Sequence, residues 1–241
     1  MERRFVAFVA ATAVFIPCLL LVDRDGFAGQ AAFGAITAVF LWSFARSSRV
    51  PRVNILLAVL VATLGEMFLS LVWGLYSYKH FLIPLYVPPG HGLFYTLAAD
   101  TALQERLRQR AREIVRTVLA IGTAIALVSL VGFGDTWGFL WWLLVLALIR
   151  TSRNRLLLVS CFVYTIYLEW VGTAIGNWRW TPTVPWVGLH SANPPAGVGI
   201  LYILLDLIVV TVAARIAAPR EAPAHEPSVS ANGWPSPEPA S

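Results

Sequence analysis

Long apolar runs dominate the chain, broken at intervals by clusters of arginine or by loops bearing Pro and Gly. Crossing the ~30 Å hydrocarbon core of a bilayer takes a helix of about 20 mostly apolar residues, with shorter ones tolerated where Pro or Gly interrupts. By that rule the segments 5–22, 27–45, 54–76, 90–104, 114–133, 136–150, 156–176 and 195–215 are expected to be membrane-spanning helices. The first, in "MERRFVAFVAATAVFIPCLLLV", has the basic start of a secretory signal but no small-residue cleavage site, so it reads as a retained span.

The basic residues test this count. With the N-terminus in the cytoplasm, the inside segments hold Arg3 and Arg4, then Arg46, Arg49 and Arg52, then the arginines from Arg106 to Arg116, then Arg150, Arg153 and Arg155, and finally Arg215 and Arg220. That places 15 of the 18 basic residues on the cytoplasmic side and leaves only Arg24, Lys79 and Arg179 outside. A wrong count would scramble the alternation. The expectation is therefore an all-α polytopic bundle in the cell (inner) membrane, with both termini cytoplasmic.

Composition agrees with that picture: 58% of residues are hydrophobic and 13% charged, against about 25% charged in a soluble domain. The net charge of +5 belongs to the inside loops and does not predict nucleic-acid binding. Cys18 and Cys161 both lie in apolar segments without metal-type spacing and predict no disulfide framework. The last stretch, 218–241, is rich in Pro, Ala and Ser and is expected to be disordered.

The two halves of the chain resemble each other. "EMFLSLVWGLYSY" continuing to "VPPGHGLFYTLAAD" answers to "EWVGTAIGNWRW" continuing to "NPPAGVGILYILLD". In order, Glu66 matches Glu169, Ser70 matches Thr173, Gly74 matches Gly176, Tyr76 matches Trp178, and Tyr78 matches Trp180. Pro88-Pro89 then matches Pro194-Pro195, Tyr95 matches Tyr202, and Asp100 matches Asp206. Hydrophobic residues match easily by chance, but Glu, Gly, paired aromatics, Pro-Pro and Asp in one order do not. Residues 1–104 and 114–217 are thus read as two four-helix repeats joined by a cytoplasmic connector, 105–113. An even number of spans per repeat makes them parallel, related by an axis along the membrane normal.

At ~1.5 Å per residue, Glu66 and Glu169 lie about 14–15 Å below the aromatic pairs, and Asp100 and Asp206 about 16 Å below the Pro-Pro turns. All four acids are expected near the midplane, where a carboxylate facing lipid would be very costly. They should face a shared polar chamber, some held neutral as proton donors. They are the candidate catalytic groups. Ser70, Thr173, Tyr76, Tyr95, His91, Trp178, Arg179, Asn193 and Tyr202 are candidate substrate contacts. His91, in "PPGHG", occurs in one half only. A zinc site from His80, His91 and Glu66 is conceivable, but fits no common ligand spacing. No metal or other cofactor is expected, and nothing fixes the oligomeric state.

The string "EWVGTAIGNWRW" (Glu169, Gly172, Gly176, Trp178, Trp180) resembles the Glu-x-x-Gly…Gly…aromatic-x-aromatic signature of integral-membrane carotenoid-biosynthesis proteins of the carotenoid hydratase type. It covers about a dozen residues and lacks the Pro-Phe-Gly expected before the aromatics. The resemblance implies acid-catalysed chemistry on a polyene within the bilayer, with Glu169 carried over. No nucleotide-binding loop, catalytic serine arrangement or zinc hydrolase motif is present in the sequence. The expected partner is accordingly membrane lipid or an apolar lipid-like substrate. A proton- or cation-coupled carrier and a membrane assembly factor are the other readings the sequence admits.

Overall fold

A computed structural model describes residues 3–23, 26–80 and 82–217; the C-terminal stretch expected to be disordered lies outside them. Nine α-helices occur among the described residues: α1 (Arg3–Leu21), α2 (Phe27–Ala45), α3 (Arg52–Glu66), α4 (Val87–Leu103), α5 (Glu105–Gln109), α6 (Ala111–Phe133), α7 (Thr136–Thr151), α8 (Arg155–Ile175) and α9 (Ile200–Ala217). Two short strands, β1 (Tyr76–Tyr78) and β2 (Trp178–Trp180), complete the fold. Every apolar segment expected from the sequence contains a helix, and α5 occupies the connector. Among the described residues, five stretches are long and apolar enough to cross a membrane: α1, α2, Arg52–Val72, α6 and α8.

Local chemistry sets the helix ends. Pro51 precedes α3, and Pro88-Pro89 opens α4, where a missing N–H costs nothing and φ is already helical. Gly134 closes α6 at φ 66° and Gly176 closes α8 at φ 86°, a left-handed conformation that side chains with a Cβ disfavour. Asp135 caps α7 by accepting the Gly138 N–H at 2.9 Å. α3 does not stop at Glu66. It widens into a π-helical turn, Met67–Val72, whose exit bond runs from the Trp73 N–H to the Phe68 carbonyl, five residues back.

α3, α4, α8 and α9 form the centre, each packed on two others: α3 and α8 both touch α4 and α9. α2 covers α4, α7 bridges α6 and α9, and α6 and α1 both lie on α8. α1 and α2 are joined by Phe8, Phe15, Phe40 and Phe44, with Phe8 and Phe44 stacked 4.3 Å apart. α8 is the most enclosed of these five stretches, 56% buried against 11–28% for the other four. Leu56, Leu60, Leu64 and Leu71 make an exposed apolar stripe along the α3 stretch. Such a stripe is what a lipid-facing surface requires.

β1 and β2 pair antiparallel, with Tyr76 opposite Trp180, Ser77 opposite Arg179 and Tyr78 opposite Trp178. Two flanking bonds lengthen the ribbon: Lys79 N–H to the Asn177 carbonyl at 2.7 Å, and Thr181 N–H to the Leu75 carbonyl at 2.9 Å. A twofold axis through the Ser77–Arg179 pair exchanges these two bonds. Gly74 and Gly176, each two residues before its strand, both have positive φ, at 74° and 86°. The ribbon ties the first half of the chain to the second.

Candidate functional site

The ribbon turns its aromatic side chains inward, each pair onto the glutamate of its own half. Tyr76 and Tyr78 hydroxyls donate to Glu66 Oε2 at 2.8 and 2.7 Å. Trp178 and Trp180 indole N–H groups donate to Glu169 Oε2, both at 2.9 Å. In a strand, alternate side chains share a face, which is why residues two apart reach one oxygen while Ser77 and Arg179 point away and are exposed. Burial, with the Glu66 carboxyl beside it, pushes the Tyr78 phenol well above its usual range, so it stays a donor.

The second oxygen distinguishes the two acids. Glu66 Oε1 lies 3.3 Å from His91 Nε2. His91 Nδ1 lies 3.0 Å from the Val87 carbonyl, which can only accept, so Nδ1 carries a hydrogen. Nε2 is thus the ring nitrogen that faces Glu66 Oε1, close enough for a proton to pass between the two. His91 stacks on Tyr202 at 5.0 Å, which fixes its ring plane. Gly172 makes room for the other pair: a Cβ there would fall within the Trp178 ring.

Both glutamates line one cavity of about 250 Å³. Its polar end holds Glu66, Glu169, His91, Tyr76, Tyr78, Tyr86, Trp178, Trp180 and Tyr202. Its walls are apolar side chains of α1, α3, α4, α8 and α9. The structure thus brings together Glu66, Glu169, His91, Tyr76, Trp178 and Tyr202 from the sequence-based candidates.

The other candidates lie elsewhere. Asp100 and Asp206 are buried but do not line the cavity. Asp100 neighbours Tyr164, and Asp206 neighbours Tyr95 and Cys161. The depth match fails because α4 begins at Val87 and α9 only at Ile200, past irregular turns over 195–199. Tyr95 pairs instead with Asn54 at 3.2 Å. Ser70 sits in the π turn, where the four-residue spacing no longer returns to the same face, and it does not reach the cavity. Thr173, on regular helix, donates to the Glu169 backbone carbonyl at 2.6 Å and faces a separate hollow beside α6. Asn193 Oδ1 accepts the Trp180 N–H at 2.9 Å and so steadies β2. His80 lies 3.8 Å from Asp23, in a different cluster from His91, so the conceivable zinc triad does not assemble. Among the described residues no group of three or more His, Cys, Asp or Glu could hold a metal.

Two aspartates that sequence reasoning passed over anchor the outer loops. Asp23, after α1, accepts from Gln30 at 2.6 Å, Tyr86 at 3.0 Å and Asn177 at 3.1 Å. Asp135, after α6, accepts from Ser129, Gly138, Ala192 and Ala196 at 2.8–3.0 Å. Each grips the segment that leads into the last helix of its half. The available signal was positional: each acid follows the first helix of its half. No family model, curated protein or solved structure matches the chain.

Proposed function

We propose that the chain is an integral membrane enzyme that performs acid–base chemistry on an apolar, unsaturated lipid of isoprenoid type, with Glu66, His91 and Glu169 as the working groups. In this reading it crosses the bilayer eight times with both termini cytoplasmic, as two parallel four-helix halves. The antiparallel ribbon, the paired Gly74 and Gly176, the two-point suspension of each glutamate and the loop aspartates Asp23 and Asp135 all support two related halves.

The observation that carries the function is a carboxyl–imidazole pair and a second carboxyl facing one apolar-walled cavity. A proton that passes between Glu66 and His91 is the one available for transfer to a carbon–carbon double bond. Adding it breaks the π bond and leaves a carbocation on the neighbouring carbon. Glu169, as carboxylate, faces that charge, and the indole and phenol rings around it add cation–π attraction. Loss of an adjacent proton to Glu169 shifts the double bond, and addition of a single water, whose surplus proton Glu169 takes up, gives an alcohol; neither needs an oxidant. The apolar walls keep bulk water from quenching the cation. The faint carotenoid-hydratase signature around Glu169 points the same way.

Mass spectrometry of lipids from cells with and without the gene tests this. An unsaturated precursor should accumulate without it, and Glu66→Gln or Glu169→Gln should fail to restore the product while still inserting and purifying as folded protein. Restoration by both variants would overturn the assignment. An unchanged lipid profile, with proton-coupled uptake of a solute, would move the protein to the carrier class.

A further inference from the structure

The cavity is closed on one side and open on the other. Ile16, Leu19, Leu20 and Thr37, from α1 and α2, wall one side and are at most 5% exposed. Phe68, Leu204 and Ile208 also line it, yet are 44–46% exposed on the outer surface of the bundle. A side chain that is both cavity wall and outer surface stands at a mouth. All three flank the seam between the α3 stretch and α9. Gly65 lines the same seam, and a Cβ added there meets no atom within 4 Å, so the gap beside it is open space.

The seam has a direction. Cavity-lining residues run from Val61 to Leu69 on the α3 stretch, about 12 Å at ~1.5 Å per residue. α9 runs the other way, from Leu201 down to Ile208. The carboxyls sit at the Leu69 and Leu201 end, and only apolar residues flank the Val61 and Ile208 end. The volume is about 250 Å³, below the ~300–1,000 Å³ of sites that engulf a drug-sized ligand. A long-chain lipid cannot fit whole.

Resting on the enzyme reading above, we infer that the α3–α9 seam is a lateral portal through which the unsaturated end of a long hydrocarbon chain enters from the bilayer, while the rest of the molecule stays in lipid. The occupant is unsaturated because an acid pair has nothing to protonate on a saturated chain, and apolar throughout the inserted part because the seam offers no charge before the glutamates. The chemistry therefore falls on the last few carbons of the substrate, not on its middle.

The test uses the full chain in lipid nanodiscs and two photoreactive probes, a geranylgeranyl chain and a hexadecyl chain, each with a diazirine at its far end. The prenyl probe should cross-link cavity residues such as Phe94 and Tyr202, and the hexadecyl probe should do so about tenfold less. Gly65→Trp and Leu204→Trp should each cut that labelling about tenfold, whereas Val131→Trp, on the exposed face of α6, should leave it unchanged. Leu204 is half exposed, so its variant keeps the test usable if the Gly65 variant does not fold. Glu66→Gln should label like the unaltered protein while losing lipid conversion, which separates failure of the portal from failure of the chemistry. Undiminished labelling in both portal variants would overturn the portal, and equal labelling by the two probes would overturn the unsaturated-chain assignment.

Discussion

Replacing Gly172 by Ala should destabilise the protein through one identifiable collision. The new methyl would fall inside the Trp178 ring, which must retreat by about the length of a carbon–carbon bond to reach ordinary contact. Trp178 is 7% exposed and pinned at its other edge by the 2.9 Å bond to Glu169, so retreat breaks that bond. Overpacking of this kind costs about 1–3 kcal/mol, and leaving the buried indole N–H without its acceptor about 1–3 kcal/mol. The better helix propensity of Ala returns about 1 kcal/mol. The net loss is about 1–5 kcal/mol, a fall in apparent Tm of roughly 2–20 °C for a chain of this size. The assay is thermal unfolding of the purified protein in nanodiscs, run as a double-mutant cycle with Trp178→Ala. Without the indole the collision vanishes, and Gly172→Ala should become neutral or slightly stabilising. An equal loss in both backgrounds would refute the packing argument and return Gly172 to a role in helix–helix contact.

Other outcomes follow from the same geometry. Asp135→Ala would orphan the buried N–H groups of Gly138 and Ala196, at about 1–3 kcal/mol each, and release the half-buried N–H of Ala192, so limited proteolysis should cut within 190–196 where the unaltered protein resists. Gly65→Ala should keep or raise the Tm, by up to about 1 kcal/mol of helix propensity, because its Cβ meets nothing; a marked fall would contradict the open seam. Single cysteines at positions 108 and 179, in a background without Cys18 and Cys161, should react with an impermeant maleimide from opposite sides of the membrane. Labelling from the same side would break the eight-span arrangement.

How much of this could be read from the chain varies with the kind of signal. The apolar segments mark the helices because length and hydropathy suffice, and shared spacing singles out Glu66 and Glu169. "YSY" and "WRW" were readable as partners but not as strands, since three residues carry no usable periodicity. Burial could not be read either: Tyr76 and Trp178 are buried on the glutamates, while Trp170 and Trp186, equally aromatic, are exposed. Ser70 follows Glu66 by four residues, a spacing that returns to one face only in a regular helix, and the π turn that intervenes leaves no mark in composition. Asp100 and Asp206 share a spacing from Pro-Pro, but a spacing in sequence fixes depth only if both helices begin at the same point, and they do not. Asp23 and Asp135 escaped because a loop acid looks solvated until the chain that covers it is known.

The ribbon also limits how the molecule can move. Its strands belong to opposite halves, so rocking one half against the other, the motion of an alternating-access carrier, would shear β1 from β2. Each glutamate hangs from its own strand by two hydrogen bonds, so the same shear would displace both proton-handling groups at once. A catalyst that needs its acids at a fixed separation gains from such a clasp. A rocker switch would have to undo it on every cycle.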